Sequence, residues 1–145
     1  MNIYKNKNKI INKKAFYYYN LIKKKNAGLV LKGKEIKLIR QNKCNISNSY
    51  CKIYKNNIYL LNFKIHNNKI RKIKLLLSKK EILKIYNKII NSNYTIIPTK
   101  IFYSDSGFAK LEIYLSKKKK KYEVNKISKK KEKEINKKRI KQYYF

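Results

Sequence analysis

Acidic side chains are scarce in this chain. Seven Asp and Glu stand against 40 Lys and Arg in 145 residues, a formal charge of +33. The seven acids are scattered, and no carboxylate pair is placed to hold metal ions for phosphodiester chemistry. Histidine occurs once, as His66, with no Ser or Cys nucleophile near it in the sequence, so general-base catalysis finds no partner. Cys44 and Cys51 form no CxxC pair, and with one His they cannot complete a four-ligand zinc site unless carboxylates join. They read as small buried residues in a reducing cytosol rather than as a disulfide. Gly28 and Gly33-Lys34 have the Gly-x-x-x-x-Gly-Lys spacing, but Glu35 follows where Ser or Thr is needed, so no complete phosphate-cradling signature is present. No apolar run approaches the ~20 residues that span a bilayer. No apolar segment follows the Lys-rich start, which argues against a secretory signal. The expectation is a cytoplasmic protein with no catalysis, no cofactor, no metal and no membrane partner.

What is present is lysine, asparagine, isoleucine and tyrosine. Arginine occurs only at Arg40, Arg71 and Arg139. The abundant residues have AT-rich codons, so base composition accounts for part of the basic excess. The remainder still leaves a chain that repels itself unless polyanions or salt neutralise it, and a phosphate-rich partner is the natural reading. The length favours one domain.

Residues 1–9 are polar and read as a mobile arm. Ile10 to Ile22 is aromatic and apolar, including Ala15-Phe16-Tyr17-Tyr18-Tyr19, and reads as a strand. Its tyrosines serve either as barrel filler or as a stacking surface for bases and ribose. Gly28 and Gly33 bracket a short strand, Leu29 to Lys32, as two pivots. Lys34 to Arg40 fits two helical turns, with Ile36, Ile39 and Leu38 inward and Lys37 and Arg40 outward. Asn42 to Ser49 is loop chemistry. Tyr50–Lys55 and Ile58–Phe63 flank Asn56-Asn57, a candidate type I′ turn. Ile70 to Leu77 forms the next strand. Ser78-Lys79-Lys80-Glu81 is a capping box, predicting a helix over 79–91 with Ile82, Leu83, Ile85, Tyr86, Ile89 and Ile90 at helical spacing. Thr95 to Tyr103 is strand-like, with Pro98 at a bulge or edge. Asp105-Ser106-Gly107 turns the chain. Phe108 to Ser116 then alternates, with Ala109, Leu111, Ile113 and Leu115 one way and Lys110, Glu112 and Tyr114 the other.

Hairpins plus one capped helix predict a mainly β fold: a small, antiparallel, oligonucleotide-binding (OB)-like barrel over residues 10–116 with flanking helices. From Lys117 the composition changes, with 14 basic residues against Glu123, Glu132 and Glu134. Residues 117–145 cannot bury enough surface to fold alone and are expected to order as a helix only on a polyanion. Glu35 and Glu112 read as acceptors from Lys and Arg or from RNA hydroxyl and amino groups.

The order of motifs resembles the SsrA-binding proteins (small protein B) of bacterial trans-translation. The matching residues are Asn12-Lys13-Lys14-Ala15 with Tyr19, Ala27-Gly28, and Leu31-x-Gly33-x-Glu35-x-Lys37-x-x-Arg40. They continue with Asn45-Ile46-x-x-Ser49-Tyr50, Leu60 and Asn62 with Ile65, Lys74-Leu75-Leu76-Leu77 with Glu81-Ile82, Tyr94-Thr95, and Ala109-Lys110. Each motif alone is weak, but the ordered set is specific and spans about residues 10–142.

The resemblance implies an RNA-binding barrel whose partners are the tRNA-like domain of transfer-messenger RNA and the ribosome. It implies a monomer that stands in for the missing anticodon stem at the decoding centre of a stalled ribosome. The tail would run as a helix into the empty messenger channel. Asn12, Lys13, Lys14, Tyr19, Asn26, Gly28, Lys37, Arg40 and Tyr50 are the RNA-binding residues so implied. Lys118, Lys119, Lys120, Tyr122, Lys129, Lys131, Lys138 and Arg139 are the ribosome-contacting ones. The chain departs from the family pattern at Asn26, where an acid is usual, and at Leu38, where Ser is. It departs again at Arg71-Lys72-Ile73-Lys74 and in the tail, where usual signatures become Lys118-Lys119-Lys120 and Glu123-Val124-Asn125. The competing readings are a basic ribosomal or ribosome-assembly protein with an OB-like barrel, and an RNA-processing enzyme.

Overall fold

The computed structural model describes residues 9–66, 69–121 and 123. In chain order the elements are β1 (Ile10–Ile11), α1 (Lys13–Tyr18), β2 (Tyr19–Leu29), α2 (Gly33–Arg40), β3 (Cys44–Asn45) and β4 (Tyr50–Tyr54). There follow β5 (Asn57–Ile65), β6 (Lys69–Leu76), α3 (Lys79–Ser92), β7 (Thr95–Tyr103) and β8 (Ala109–Lys118). All strand pairings are antiparallel, and the main strands follow one another around a ring: β7, β4, β5, β6, β2, β8 and back to β7. The mainly β expectation holds, but this ring is not a regular barrel. Long ladders join β2 to β8 and β7 to β8, whereas β4 meets β7 through a single pair, Cys51 opposite Ile96.

The core fills the ring. Ile58, Leu60 and Phe63 of β5, Ile73 and Leu75 of β6, Ile96 and Ile101 of β7, and Leu111 and Ile113 of β8 are buried there. Ile39 of α2 and Ile82 and Ile85 of α3 join the same cluster. Removing such buried surface from water, at ~25 cal/mol per Å², is what holds short strands together. The α3 capping box forms as its spacing predicts: Ser78 Oγ accepts from Glu81 N, and Glu81 Oε2 accepts from Ser78 N. Asn93, in the left-handed region at φ 59°, ends the helix. The buried stripe of α3 is narrower than expected, because Leu83, Tyr86 and Ile90 are exposed.

Four local expectations are corrected. Ile10 to Ile22 is not one strand. Asn12 caps a helix over Lys13–Tyr18 by accepting from Ala15 N, and the strand begins only at Tyr19. Leu29 ends β2 rather than opening a separate strand, and neither Gly28 nor Gly33 is a left-handed pivot. Gly28 is instead a point of close approach, since a Cβ there would lie 3.1 Å from Leu76 Cβ. The hairpin turn sits one residue earlier than predicted, on Lys55 and Asn56 (φ 47° and 62°), with Tyr54 opposite Asn57. Glu112 is buried on the face of β8 predicted to be open, because Thr99 donates to it and Lys24 and Lys100 close over it. The bulge between Pro98 and Lys100 lies where Pro98 predicts one, and Gly107 (φ 85°) makes the turn into β8.

Candidate nucleic-acid interface

Asn12 builds the first part of the site. Its side-chain amide donates to Pro98 O at 2.8 Å, its backbone N donates to Thr99 O at 2.7 Å, and its Oδ1 caps α1. These bonds lock α1 onto β7 and bury Asn12 and Ala15. Lys13, Lys14, Phe16 and Tyr18 are left exposed. Opposite α1 lies the turn 45–49. There Asn45 Oδ1 accepts from the backbone and hydroxyl of Ser47, and Ser49 Oγ donates to Ile46 O. Asn62 Nδ2 also holds Asn48 O at 3.0 Å. Between helix and turn is a cleft of about 570 Å³ that Lys14, Tyr18, Tyr19, Asn48, Tyr50 and Lys118 line. Among the described residues no acid lines it. Lys14 Nζ donates to Asn48 Oδ1 at 3.2 Å across it. Ammonium groups, tyrosine rings and an amide in one basic cleft suit phosphate contact together with stacking on bases or ribose.

A second cluster lies at the other end of β2. Tyr19 opens that strand and Gly28 nearly closes it, a separation of about 30 Å at strand rise. Gly28, Arg40, Leu76, Phe108 and Lys110 line a smaller cleft of about 330 Å³ there. Arg40 approaches the Tyr103 ring at 6.0 Å. The helix that carries Lys37 and Arg40 is pinned by Glu35. Arg71 Nε and Nη2 donate to its two oxygens at 2.9 and 3.0 Å, and Lys32 N donates at 3.0 Å. The Arg71 guanidinium holds the Glu35 carboxyl below the usual range, with the Lys32 N–H assisting and burial opposing. Glu35 is therefore a buried structural acceptor, not an open contact for RNA.

The implied RNA-binding residues thus fall into groups. Lys14, Tyr19 and Tyr50 meet at the first cleft with Asn12 beneath them, and Lys13 is exposed on α1. Gly28 and Arg40 meet at the second, and Lys37 is exposed on the same helix. Asn26 is exposed on β2 between them. Lys118 belongs to β8, opposite Tyr19, and lines the first cleft. Lys119 donates from its backbone to Tyr18 O and from Nζ to Phe16 O, and Lys120 is exposed. Tyr122, Lys129, Lys131, Lys138 and Arg139 lie outside the described residues, as does most of the proposed tail helix. Tyr18 and Asn48 were missed as cleft residues. The spacing of Asn12 to Ala15, a cap and its N3 residue, is the signal that would have placed Tyr18 on a helix.

Burial pushes the Cys44 thiol up to about 12 and the Cys51 thiol higher still, so both are inert packing groups. Among the described residues no three His, Cys, Asp or Glu side chains converge, and no helix is long and apolar enough to cross a membrane.

Residues 9–143 match the SmpB protein family. The chain belongs to that family. Among its SmpB relatives, the SsrA-binding protein of Fervidobacterium nodosum is 40% identical over 141 residues, covering 91% of this chain and 93% of the relative. The SsrA-binding protein of Mycoplasma mycoides subsp. mycoides SC is 42% identical over 122 residues, covering 77% of this chain and 82% of the relative. That of Thermosipho africanus is 38% identical over 121 residues, covering 77% and 81%. A solved SmpB structure, described as "tmRNA-SmpB: a journey to the center of the bacterial ribosome", superposes with a TM-score of 0.61 at 27% identity. It covers 78% of this chain and 85% of that one.

Proposed function

We propose that this chain is a non-catalytic, cytoplasmic RNA-binding factor of trans-translation. It binds the tRNA-like domain of a transfer-messenger RNA and delivers it to stalled ribosomes. The observation that carries this reading is the basic cleft where Lys14, Tyr18, Tyr19, Tyr50 and Lys118 converge, in a chain of the SmpB family. The cleft suits recognition of a folded RNA by shape, through phosphates and 2′-hydroxyls, with rings available to unpaired bases. Asn12 supports the cleft, and Lys13, Lys14, Tyr19, Tyr50 and Lys118 contact the RNA. Lys37 and Arg40 contact it at the far end of β2, where Gly28 lets the backbones close up. Asn26 lies on the path between. Residues 10–116 form the RNA-binding body, preceded by the arm 1–9. The remaining residues, 117–145, reach the decoding centre and the messenger channel. Two of the seven acids are occupied structurally, Glu35 by Arg71 and Glu112 by Thr99 and two lysines, which supports binding without turnover.

The test is to sequence the RNA that copurifies with the native protein, and to compete its binding with duplex DNA of equal length at moderate salt. One dominant tRNA-like RNA that duplex DNA displaces poorly is the expected result. Equal competition by DNA refutes the reading. Stoichiometric co-sedimentation with ribosomal subunits in the absence of that RNA would instead support a ribosomal protein.

A further inference from the structure

Strands β4, β5 and β6 form a meander in a stretch without acids, since no Asp or Glu occurs between Glu35 and Glu81. Pairing sets Lys52, Tyr59 and Lys74 in one row across the three strands. Residues directly opposite one another share a face. Tyr54, two residues beyond Lys52 on β4, shares that face and is 55% exposed. Lys72 Nζ stands 4.3 Å from the centre of the Tyr59 ring and 5.5 Å from that of Tyr54, and Lys55 Nζ lies 5.4 Å from Tyr54. The rings are thus covered by solvated ammonium groups. None of these four lysines reaches a carboxylate among the described residues.

The face continues the first cleft. Tyr50, Lys52 and Tyr54 are the exposed residues of β4, and Tyr50 lines that cleft. From Tyr50 to Tyr54 the strand rises about 13 Å. An exposed cation–π contact is weaker than a base stacked on the same ring. A base can therefore displace the ammonium from the tyrosine, and the displaced lysine is then free to meet a phosphate.

We infer that the outer face of β4–β6 is a second RNA contact, a stacking platform for unpaired bases of the same tRNA-like RNA that enters the cleft. Tyr54 and Tyr59 take bases; Lys52, Lys55, Lys72 and Lys74 take phosphates. This rests on the functional reading above and extends its footprint along β4.

The experiment titrates the full-length protein against the isolated tRNA-like RNA over a range of salt. The variants are Tyr54→Leu with Tyr59→Leu, and Lys52→Gln with Lys74→Gln. The tyrosine pair should weaken binding about tenfold, about 1.4 kcal/mol, at an unchanged salt slope. The lysine pair should lower the slope of log K against log salt by about 1.4–1.8. The lysines are exposed, so that arm still tests the face if the tyrosine pair fails to fold. Wild-type affinity and slope in both variants overturn the platform. So does a loss seen only with small ribosomal subunits and not with the isolated RNA. Wild-type protein with no preference for the tRNA-like RNA overturns the functional reading, and the platform with it.

Discussion

Asn26 on β2 stands directly opposite Glu112 on β8. Glu112 is 7% exposed and already holds Lys24, Lys100 and the Thr99 hydroxyl. The acid that the family pattern places at position 26 would here face a second carboxylate across the ladder. Asn26→Glu should therefore destabilise the protein by up to about 1 kcal/mol, read as a lower urea midpoint, whatever it does for RNA affinity. Adding Glu112→Gln should relieve that repulsion. If Asn26→Glu alone leaves the midpoint unmoved, the two side chains do not share a face.

Glu35→Gln tests the lock beneath α2. Breaking this pair should cost about 2–3 kcal/mol, short of the ~3–5 of a fully buried pair because Arg71 is partly solvated. The folded-state carboxyl titrates below its ordinary value, with the Arg71 hydrogen bonds as the main cause. Its contribution is therefore complete above about pH 4.5, the unperturbed value, and is lost as pH falls from there. Denaturation curves of the wild type should fall through that window more steeply than those of the variant. Parallel curves would show that the pair contributes nothing.

Asn12 and Lys14 should separate support from contact. Asn12→Ala loses a helix cap and orphans the Pro98 carbonyl, so stability should fall by about 2–3 kcal/mol. Lys14→Gln should leave the melting temperature within a degree or two, weaken RNA binding and reduce the salt slope by about 0.7–0.9. A Lys14→Gln variant with the wild-type slope would remove Lys14 from the interface.

Two truncations should behave differently. Ending the chain after Ser116 removes Lys117 and Lys118 from β8, opposite Asn20 and Tyr19, and the Lys119 bonds to α1. RNA affinity should drop together with stability. Ending it after Lys121 keeps those contacts and should retain most of the affinity while abolishing ribosome rescue. Rescue by the longer truncate would refute the role proposed for the tail.

Much of the fold was legible because its signals are local. The α3 capping box lies within four consecutive residues, and the Pro98 bulge and the Gly107 turn are single-residue events. The α1 segment was misread because Phe16 to Tyr19 have high strand propensity. What decides it is distant: Asn12 reaches Pro98 and Thr99, and Ala15 is buried beneath the helix. Both residues of a type I′ turn need φ > 0, which favours Asn-Asn in sequence, but the register of Tyr54 against Asn57 places Lys55 there. The site was legible as a set of residues and not as a shape. Motif order names Tyr19 and Gly28 alike, and only the length of β2 shows that they serve different clefts. Lys118 looked like tail by composition because charge carries no information about strand pairing.

The single Cys51–Ile96 rung between β4 and β7 has a kinetic consequence. Everywhere else on the ring, opening means breaking a ladder of several bonds or the paired ends of β2 and β6. At this seam one rung separates closed from open, and Tyr50, the cleft's own ring, is the residue beside it. Slow breathing of the molecule should start there, with the amide hydrogens of the Cys51–Ile96 pair exchanging before those shared by β7 and β8. The seam thus borders the cleft that Tyr50 lines, and a guest RNA that binds both sides of it should slow that exchange.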